Sequence, residues 1–340
     1  MAKNDKIVNY MEVLRFFGKV WVTFTAVIGS LFVIGVAFSI LAAIVFFKHS
    51  SSELPATAPS QKVISQNGPD KIAVVNLSGQ IMDSDAPSGL ISQGGVISAR
   101  RVIPLLDSIE KDSSVKAVVL RLNTPGGAVV ASDEIYQRIK QLHEKKPVVV
   151  NMADEAASGG YYISAGASKI VANSATITGS IGVIAELPKF AGLYDKLGIQ
   201  MRTIKSGTFK DIGSPNRDLT PDEQAILQTM VNEAYDQFVH SIAVGRNMDE
   251  TKVRQLADGR IYTGLQAQKN GLVDELGDFN RAIAVAENLA HTSNTTVVEY
   301  SDQSFFESLL QSKLSGISPL SSFQNIVPQE KFGLYYLLSM

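Results

Sequence analysis

Apolar runs alternate with amphipathic helical periods along most of the chain after residue 70. The runs are short and rich in Val, Ile and Leu, which is typical of strands buried in a parallel sheet. Between them, apolar residues recur every three or four positions, which predicts helices that cover such a sheet. Strands are predicted at 72–77, 116–122, 147–151, 170–172 and 201–204, and helices at 97–111, 131–145, from Gly159 onward, 249–257, 265–270 and 278–290. This alternation predicts one α/β domain over residues 71–295.

The most clearly marked helix begins at Thr220, where Pro221 occupies the first helical position. Thr220 and Glu223 have the spacing of a capping box, in which each side chain accepts a hydrogen bond from the other residue's backbone. The periodicity extends this helix to about Val244. Its predicted buried residues are Ile226, Met230 and Phe238.

A 28-residue segment without charged residues, from Val20 to Phe47, lies near the N-terminus. As a helix it is about 42 Å long, which exceeds the roughly 30 Å hydrocarbon core of a bilayer. Cleavable signal peptides have apolar regions of only about 7–15 residues, so the segment predicts an uncleaved transmembrane anchor. The alternative is cleavage after the A-x-A sequence 56–58, but that sequence lies well beyond the apolar segment.

The residues on either side of the anchor predict its orientation and the remaining organisation. Four basic residues precede it, so the positive-inside rule places residues 1–19 in the cytoplasm and the large C-terminal part outside it. The Ser-, Pro- and Ala-rich residues 48–70 predict a flexible linker. The C-terminal extension, 296–340, contains one predicted amphipathic helix and an apolar end at 334–338. That end packs on the domain, contacts a membrane or partner, or occupies a substrate groove; the sequence leaves these alternatives open.

Composition narrows the chemistry that the domain can perform. Among 340 residues, 45% are hydrophobic and 19% are charged, as in ordinary globular proteins, and a net charge of −2 gives no attraction to nucleic acid. There is no Cys, which excludes disulfides, thiolate nucleophiles and cysteine-bound metals. There are only 4 His, so histidine-based chemistry has few candidates.

Two clusters of small residues follow predicted strands, where α/β folds place their sites. Residues 123–127 (NTPGG) suit backbone N–H groups that stabilise an oxyanion, although a tight turn explains the glycines equally well. Residues 156–161 (AASGGY) place Ser158 at the start of a helix, which fits a nucleophile or a helix N-cap.

A nucleophilic serine needs a base, and each histidine lies away from the glycine-rich and strand-end segments. The remaining candidate is a lysine kept neutral in an apolar site. Lys210 lies in the small-residue segment 205–215, next to Phe209, which is expected to bury its amine and lower its pKa. Lys205 is the rival base. A hydroxyl in the segment 176–184 would orient such a lysine, although a polar bend also explains this segment.

Taken in chain order, these segments resemble the signal peptide peptidase A family, peptidase family S49, whose members are membrane-anchored Ser-Lys serine proteases. The fold implied is the Clp protease/crotonase-like α/β fold of repeated ββα units, here preceded by one transmembrane helix. The resemblance covers roughly residues 70–290. The motifs that carry it are 123–127, 158–160, 178–180, 206–211, 258–264 and 271–274.

The resemblance implies a role for each matching residue. Ser158 corresponds to the nucleophile, Lys210 to the general base and Ser180 to the residue that orients the lysine. The amides of Gly127 and Gly126 correspond to the oxyanion hole. The resemblance further implies homo-oligomers with active sites between neighbouring subunits, and implies neither a metal nor an organic cofactor.

The expected function is cleavage of signal peptides that remain in a bacterial cytoplasmic membrane after export, by a domain on its periplasmic or extracellular side. Two alternatives are kept. One is an acyl-CoA hydratase or isomerase of the same fold, which requires acidic residues in its pocket. The other is a membrane-tethered scaffold without activity. A Ser-His-Asp enzyme is disfavoured because no histidine occurs between Ser158 and His240.

Overall fold

The computed structural model of the chain describes residues 59–83, 95–301 and 335–337. The predicted anchor at 20–47, the residues before it and the amphipathic helix predicted in the C-terminal extension lie outside these ranges. Within the described ranges, no helix combines the length and the apolar character needed to cross a bilayer.

Strands and helices alternate along the described residues, as the hydrophobic pattern predicts. The strands are β1 (Ser60–Ser65), β2 (Lys71–Ser78), β3 (Gln80–Met82), β4 (Val96–Ser98), β5 (Val115–Thr124), β6 (Gly126–Ala128), β7 (Val148–Ala157), β8 (Lys169–Ala172), β9 (Ile177–Gly179), β10 (Ile261–Thr263), β11 (Glu275–Leu276), β12 (Thr296–Ser301) and β13 (Tyr335–Leu337). The helices are α1 (Ala99–Lys111), α2 (Val129–His143), α3 (Gly159–Ser164), α4 (Ala191–Lys196), α5 (Pro221–Arg246), α6 (Glu250–Leu256), α7 (Gly264–Lys269) and α8 (Phe279–Leu289).

The larger sheet has the order β1-β12-β2-β5-β7-β8-β11. Its strands from β12 to β11 run parallel, whereas β1 is antiparallel to β12. Strand β9 continues parallel to the last residues of β7, and β10 pairs antiparallel with β9. The sheet extends beyond the predicted domain at both ends, because β1 lies in the predicted linker and β12 in the predicted C-terminal extension.

Both faces of this sheet are buried, which explains the continuous apolar runs of its strands. On β5, Val118, Leu120 and Leu122 belong to a core that includes residues of α1, α2, α3 and α5. The intervening Ala117 and Val119 pack in a second core with α8. The period-two alternation of side chains along β5 therefore supplies both cores.

A second, smaller sheet has the order β13-β6-β3-β4. Along the chain, its strands β3 and β6 directly follow β2 and β5 of the larger sheet. Strands β3, β4 and β6 are parallel, and β13 pairs antiparallel with β6. The pairing joins Tyr335 with Ala128, Tyr336 with Gly127 and Leu337 with Gly126. A segment of the apolar C-terminal end therefore lies against the glycine-rich segment that the sequence singled out.

Helix α5 begins as predicted. Thr220 and Glu223 form the capping box, with Thr220 Oγ1 accepting from the Glu223 amide at 3.3 Å and Glu223 Oε2 accepting from the Thr220 amide at 2.9 Å. Phe238 is fully buried, but the prediction that Ile226 and Met230 are buried is wrong, since both remain nearly 40% exposed. Their side of the helix has no covering element among the described residues.

The strand predicted at 201–204 is also wrong. These residues form no strand, and every residue from 195 to 210 is exposed. Met201 and Ile204 are apolar, as the pattern requires, but this segment pairs with no strand among the described residues. Ile204, for example, keeps 94% of its surface exposed.

Candidate active site

Ser158 lies in the sharp turn between β7 and α3. Its backbone has φ 53° and ψ −114°, a conformation that a non-glycine residue adopts at a cost of about 1–3 kcal/mol. The turn is held by the Ser158 amide, which donates to the Gly179 carbonyl at 2.8 Å, and by the Ser158 carbonyl, which accepts from the Tyr162 amide at 2.9 Å. Such a strand-to-helix turn presents the serine hydroxyl at the end of the sheet, as in α/β-hydrolases.

The Ser158 hydroxyl is buried and has no hydrogen-bond partner among the described residues. Buried polar atoms are normally satisfied, so an unpartnered one needs an explanation. The N-cap alternative fails here, because the Ser158 side chain makes no capping hydrogen bond. An unpartnered hydroxyl in a costly backbone conformation fits a nucleophile that awaits its base.

Close packing explains the second glycine of the Ser-Gly-Gly sequence. A Cβ atom at Gly160 would lie 2.6 Å from Cγ2 of Thr124, at the end of β5. Thr124 is fully buried and pairs with Ala156 across the β5–β7 ladder. Gly160 therefore lets the first turn of α3 approach the segment that leads into β6.

Ser180 lies beside Ser158. Ala157 pairs with Gly179 in the β7–β9 ladder, so the two serines are the next residues on neighbouring parallel strands. Ser180 also has a positive φ of 49°, and its amide donates to the Arg260 carbonyl at 2.8 Å. A cavity of about 390 Å³ lies next to it and is lined by residues that include Ser180, Tyr235 and Asp258.

The two glycines expected to form the oxyanion hole differ in their surroundings. The Gly126 amide already donates to Thr124 Oγ1 at 3.1 Å. Gly127 pairs with Ile81 of β3, and a Cβ atom at this position would lie 1.9 Å from the Ile81 carbonyl oxygen. Close approach of two strands thus requires glycine at 127. No side chain among the described residues accepts a hydrogen bond from the Gly127 amide, which distinguishes it from the Gly126 amide.

Sequence reasoning did not single out the amide of Gly159. Gly159 is the first residue of α3, so its N–H has no carbonyl within the helix to bond. It also has no other acceptor among the described residues. The residue after a nucleophile at a strand-to-helix turn commonly supplies an oxyanion-hole amide. The signal that would have found it is its position directly after Ser158 at a helix start.

Lys210, the expected base, is exposed, and its amine has no hydrogen-bond or ion-pair partner among the described residues. It is not hydrogen-bonded to Ser158, whose hydroxyl has no partner. The expectation that Phe209 buries the lysine does not hold within one chain, since Phe209 is itself 43% exposed. The structure therefore brings together Ser158, Ser180 and the β6 glycines, but not Lys210.

The rival base, Lys205, has a different environment. Its amine donates to Asp211 Oδ1 at 2.6 Å and to the Thr208 carbonyl at 2.8 Å. These two contacts already engage the Lys205 amine. This ion pair makes Lys205 the weaker candidate.

Three histidines, 143, 240 and 291, lie in the described ranges, and two of them have side-chain contacts elsewhere. His143 Nδ1 lies 2.8 Å from the Gly166 carbonyl oxygen, and His240 Nδ1 lies 2.8 Å from the Glu250 carboxylate. None of the three is hydrogen-bonded to the Ser158 hydroxyl, which has no partner among the described residues. The described residues also contain no group of His, Asp and Glu side chains arranged to hold a metal ion.

Comparison with known proteins decides the family. The model of Peptidase family S49 matches residues 140–293, and the Clp protease model matches residues 90–178. A putative protease of Methanocaldococcus jannaschii is 46% identical over 68% of this chain and 75% of its own length. A putative signal peptide peptidase SppA of Enterococcus faecium is 39% identical over 77% of this chain and 78% of its own length. This chain belongs to peptidase family S49.

The S49 match includes Ser158, Ser180 and Lys210, whereas the Clp protease match includes the β6 glycines and Ser158. The chloroplastic serine protease SPPA of Arabidopsis thaliana is 37% identical over 74% of this chain, which covers 37% of that longer protein. The chain is accordingly a serine-type peptidase with a Clp protease-like α/β fold and a mixed sheet. This excludes both the hydratase and the scaffold alternatives.

Proposed function

We propose that this S49 peptidase is a Ser-Lys endopeptidase, anchored in a bacterial cytoplasmic membrane, that degrades signal peptides left there after export. The observation that carries the Ser-Lys proposal is the Ser158 hydroxyl, which is buried at a costly turn and has no hydrogen bond to a histidine or to any other described residue. A lysine amine is the remaining base for such a serine. Lys210 is the candidate because its amine is not committed to another group.

We further propose that the lysine comes from a second copy of the chain. The segment that bears it, residues 185–210, will be called the arm. Seven large apolar side chains of the arm are exposed, which is expensive in water unless another surface covers them. They are Phe190, Leu193, Leu197, Ile199, Met201, Ile204 and Phe209.

The cavity beside Ser180 supplies a place for the incoming lysine. It is open, has a volume of about 390 Å³ and is bordered by Ser180, the residue that we propose orients the lysine. Entry of a neighbour's Lys210 would remove water from the amine and lower its pKa. Covering the arm in the same contact would also bury Phe209.

The mechanism follows from these positions. The neutral Lys210 amine takes the proton of Ser158 while Oγ bonds to the scissile carbonyl carbon. The resulting oxyanion accepts hydrogen bonds from the amides of Gly127 and Gly159. As the C–N bond breaks, the lysine ammonium returns the proton to the leaving amine. Water then hydrolyses the acyl ester, with the lysine again accepting a proton.

Strand β6 provides the edge on which a peptide substrate would lie. The chain's own β13 pairs antiparallel with residues 126–128 in this way. A substrate strand in the same position would align its backbone with the Gly127 amide, and its side chains would alternate between pockets and solvent. We propose that substrates and β13 use the same edge.

The membrane proposal rests on the apolar segment 20–47 and on the basic residues before it. An anchor of this orientation would hold the catalytic domain on the outer side of the membrane, near peptides released by export. The proposed substrate class agrees with the name of the Enterococcus faecium relative. No cofactor or nucleic acid enters the proposal.

Activity on a fluorogenic signal-peptide-like substrate tests the proposal, using the full chain in detergent. We expect Ser158→Ala and Lys210→Ala each to abolish turnover while the melting temperature stays unchanged. Lys205→Ala is the matched control and should keep Ser158 reactive toward serine-directed acylating probes. Full turnover by Lys210→Ala would refute the proposed base.

Mixing the two inactive variants tests whether the site is shared. If Ser158 and Lys210 come from different subunits, random co-assembly of equal amounts restores about one quarter of the sites. Co-assembled particles with no activity would show that the dyad forms within one chain. A reporter fused after Ser60 tests topology, and a cytoplasmic reporter would contradict the proposed orientation.

A further inference from the structure

The turn that carries Lys210 is held by charges rather than by an apolar core. Its own backbone bonds are few: the Lys210 amide donates to the Gly207 carbonyl at 3.2 Å, and the Ile212 amide donates to the Phe209 carbonyl at 3.1 Å. The neighbouring residues 195–210 are all exposed. Something else must define where Lys210 lies.

Arg217 links this turn to helix α5. Its guanidinium donates to both oxygens of Glu223, at 2.7 and 2.6 Å, and to both oxygens of Asp211, at 2.8 and 3.2 Å. The side chain of Glu223 is only 2% exposed and also closes the capping box of α5. Arg217 therefore joins the residue after Lys210 to the fixed first turn of a 26-residue helix.

Both oxygens of Asp211 are occupied in this cluster. Oδ1 accepts from Arg217 and from Lys205, and Oδ2 accepts from Arg217. These hydrogen bonds hold the pKa of Asp211 well below its usual range, with that of Arg217 the largest cause. Asp218 is the other acidic residue between Lys210 and the start of α5, and its carboxylate pairs with Lys189.

This arrangement matters for a neighbouring base. An unmasked carboxylate next to Lys210 would stabilise its ammonium form and raise its pKa, which opposes catalysis by a neutral amine. Two cations on Asp211 offset that effect. Isolated surface ion pairs contribute little to stability, so a bidentate network around the catalytic lysine invites another explanation.

We propose that Asp211, Arg217 and Glu223 are positioning residues for the general base. They fasten the Lys210 turn to the first turn of α5 and keep the Asp211 carboxylate away from the Lys210 amine. This role rests on the proposed function, since it requires Lys210 to be the base.

The test compares kcat, KM and the pH dependence of kcat/KM in full-length variants. Arg217→Gln frees the carboxylate and loosens the turn. We expect kcat to fall by about 10²-fold, as for a misplacement of about 1 Å, with little change in KM. The acid limb of the kcat/KM profile, which reports the base of the free enzyme, should move to higher pH by about one unit.

Asp211→Asn keeps the shape of the side chain but removes the carboxylate that Lys205 and Arg217 share. Arg217 keeps its partner Glu223, so the charge of Lys205 is left without an acidic partner near Lys210. The acid limb of this variant should therefore move to lower pH, opposite to that of Arg217→Gln. Arg217→Lys keeps the positive charge but loses the bidentate hydrogen bonds of the guanidinium. We therefore expect kcat to fall while the acid limb of the kcat/KM profile stays at the same pH. Arg281→Gln is the matched control and should behave as wild type, since it breaks an exposed ion pair between Arg281 of α8 and Glu275 of β11.

If the cluster had only a structural role, Arg217→Gln and Asp211→Asn would lower the melting temperature but would not shift their acid limbs in opposite directions. Wild-type kcat and pH profile in Arg217→Gln, beside an inactive Lys210→Ala, would overturn the positioning role and leave the Ser-Lys mechanism intact. Full activity in Lys210→Ala would overturn the mechanism and the positioning role together.

Discussion

Replacement of Gly127 by Ala tests the oxyanion strand most directly. The new Cβ atom would lie 1.9 Å from the Ile81 carbonyl oxygen, whereas Cβ contacts below 3.0 Å essentially never occur. Strand β6 must therefore move away from β3 by roughly 1 Å or more, and the Gly127 amide moves with it. Because a displacement of about 1 Å in a catalytic group costs on the order of 10²-fold in rate, we expect kcat to fall by about that factor.

The same clash also destabilises the fold, by about 1–3 kcal/mol as for other overpacked sites. Gly264→Ala is the matched control, since its Cβ would meet the Asn173 carbonyl oxygen at 2.0 Å, in α7 rather than at β6. Both variants should lower the melting temperature to a similar extent. Turnover of a fluorogenic peptide, measured where each variant is fully folded, should collapse only in Gly127→Ala. Equal kcat values in the two variants would refute the assignment of the oxyanion amide to β6.

Three further outcomes are expected. Deletion of residues 335–340 removes the strand that occupies the β6 edge, so KM for a peptide substrate should fall several-fold with kcat unchanged; an unchanged KM would contradict a shared edge. Ser180→Ala should lower kcat about tenfold, the value of one hydrogen bond of about 1.4 kcal/mol, without altering the melting temperature. The Arg217 guanidinium lowers the pKa of Glu223 to about 2 in the folded protein. The ionised Glu223 carboxylate therefore stabilises the fold fully above about pH 4.5, and this stabilisation is lost as pH falls toward 2. Urea unfolding should accordingly show that Glu223→Gln destabilises the protein at pH 6 and has progressively less effect below pH 4.5.

The strands and helices of the central layers were predictable because their side chains repeat with periods that local sequence records. The apolar runs of β2, β5, β7 and β8 and the capping box of α5 all appear where the sequence predicts them. The pairing of strands could not be predicted in this way, because no local pattern indicates which distant strand edge a strand will pair with. For this reason residues 201–204, which are apolar but pair with no described strand, were wrongly predicted to be a strand. The pairing of β13 with β6 could not be predicted for the same reason.

The site was predictable to a similar degree. Ser158 and Ser180 follow strands that turned out to be neighbours, so the order of motifs was enough to associate them. The cluster around Arg217 has no periodic spacing, because its contacts depend on how an irregular segment folds back on α5. The environment of Lys210 was mispredicted for another reason. Phe209 is exposed in a single chain, and the proposed burial by a second chain would leave no trace in local sequence.

The unpartnered hydroxyl of Ser158 has a consequence for when the enzyme acts. Each subunit builds the costly turn of its nucleophile by itself, yet under the proposed assembly it lacks a base until another copy arrives. A newly made subunit would then be inert without any propeptide, and dilution would inactivate the mature enzyme reversibly. Specific activity should rise with protein concentration until assembly is complete, so that encounter between subunits in the membrane replaces zymogen cleavage as the activating event.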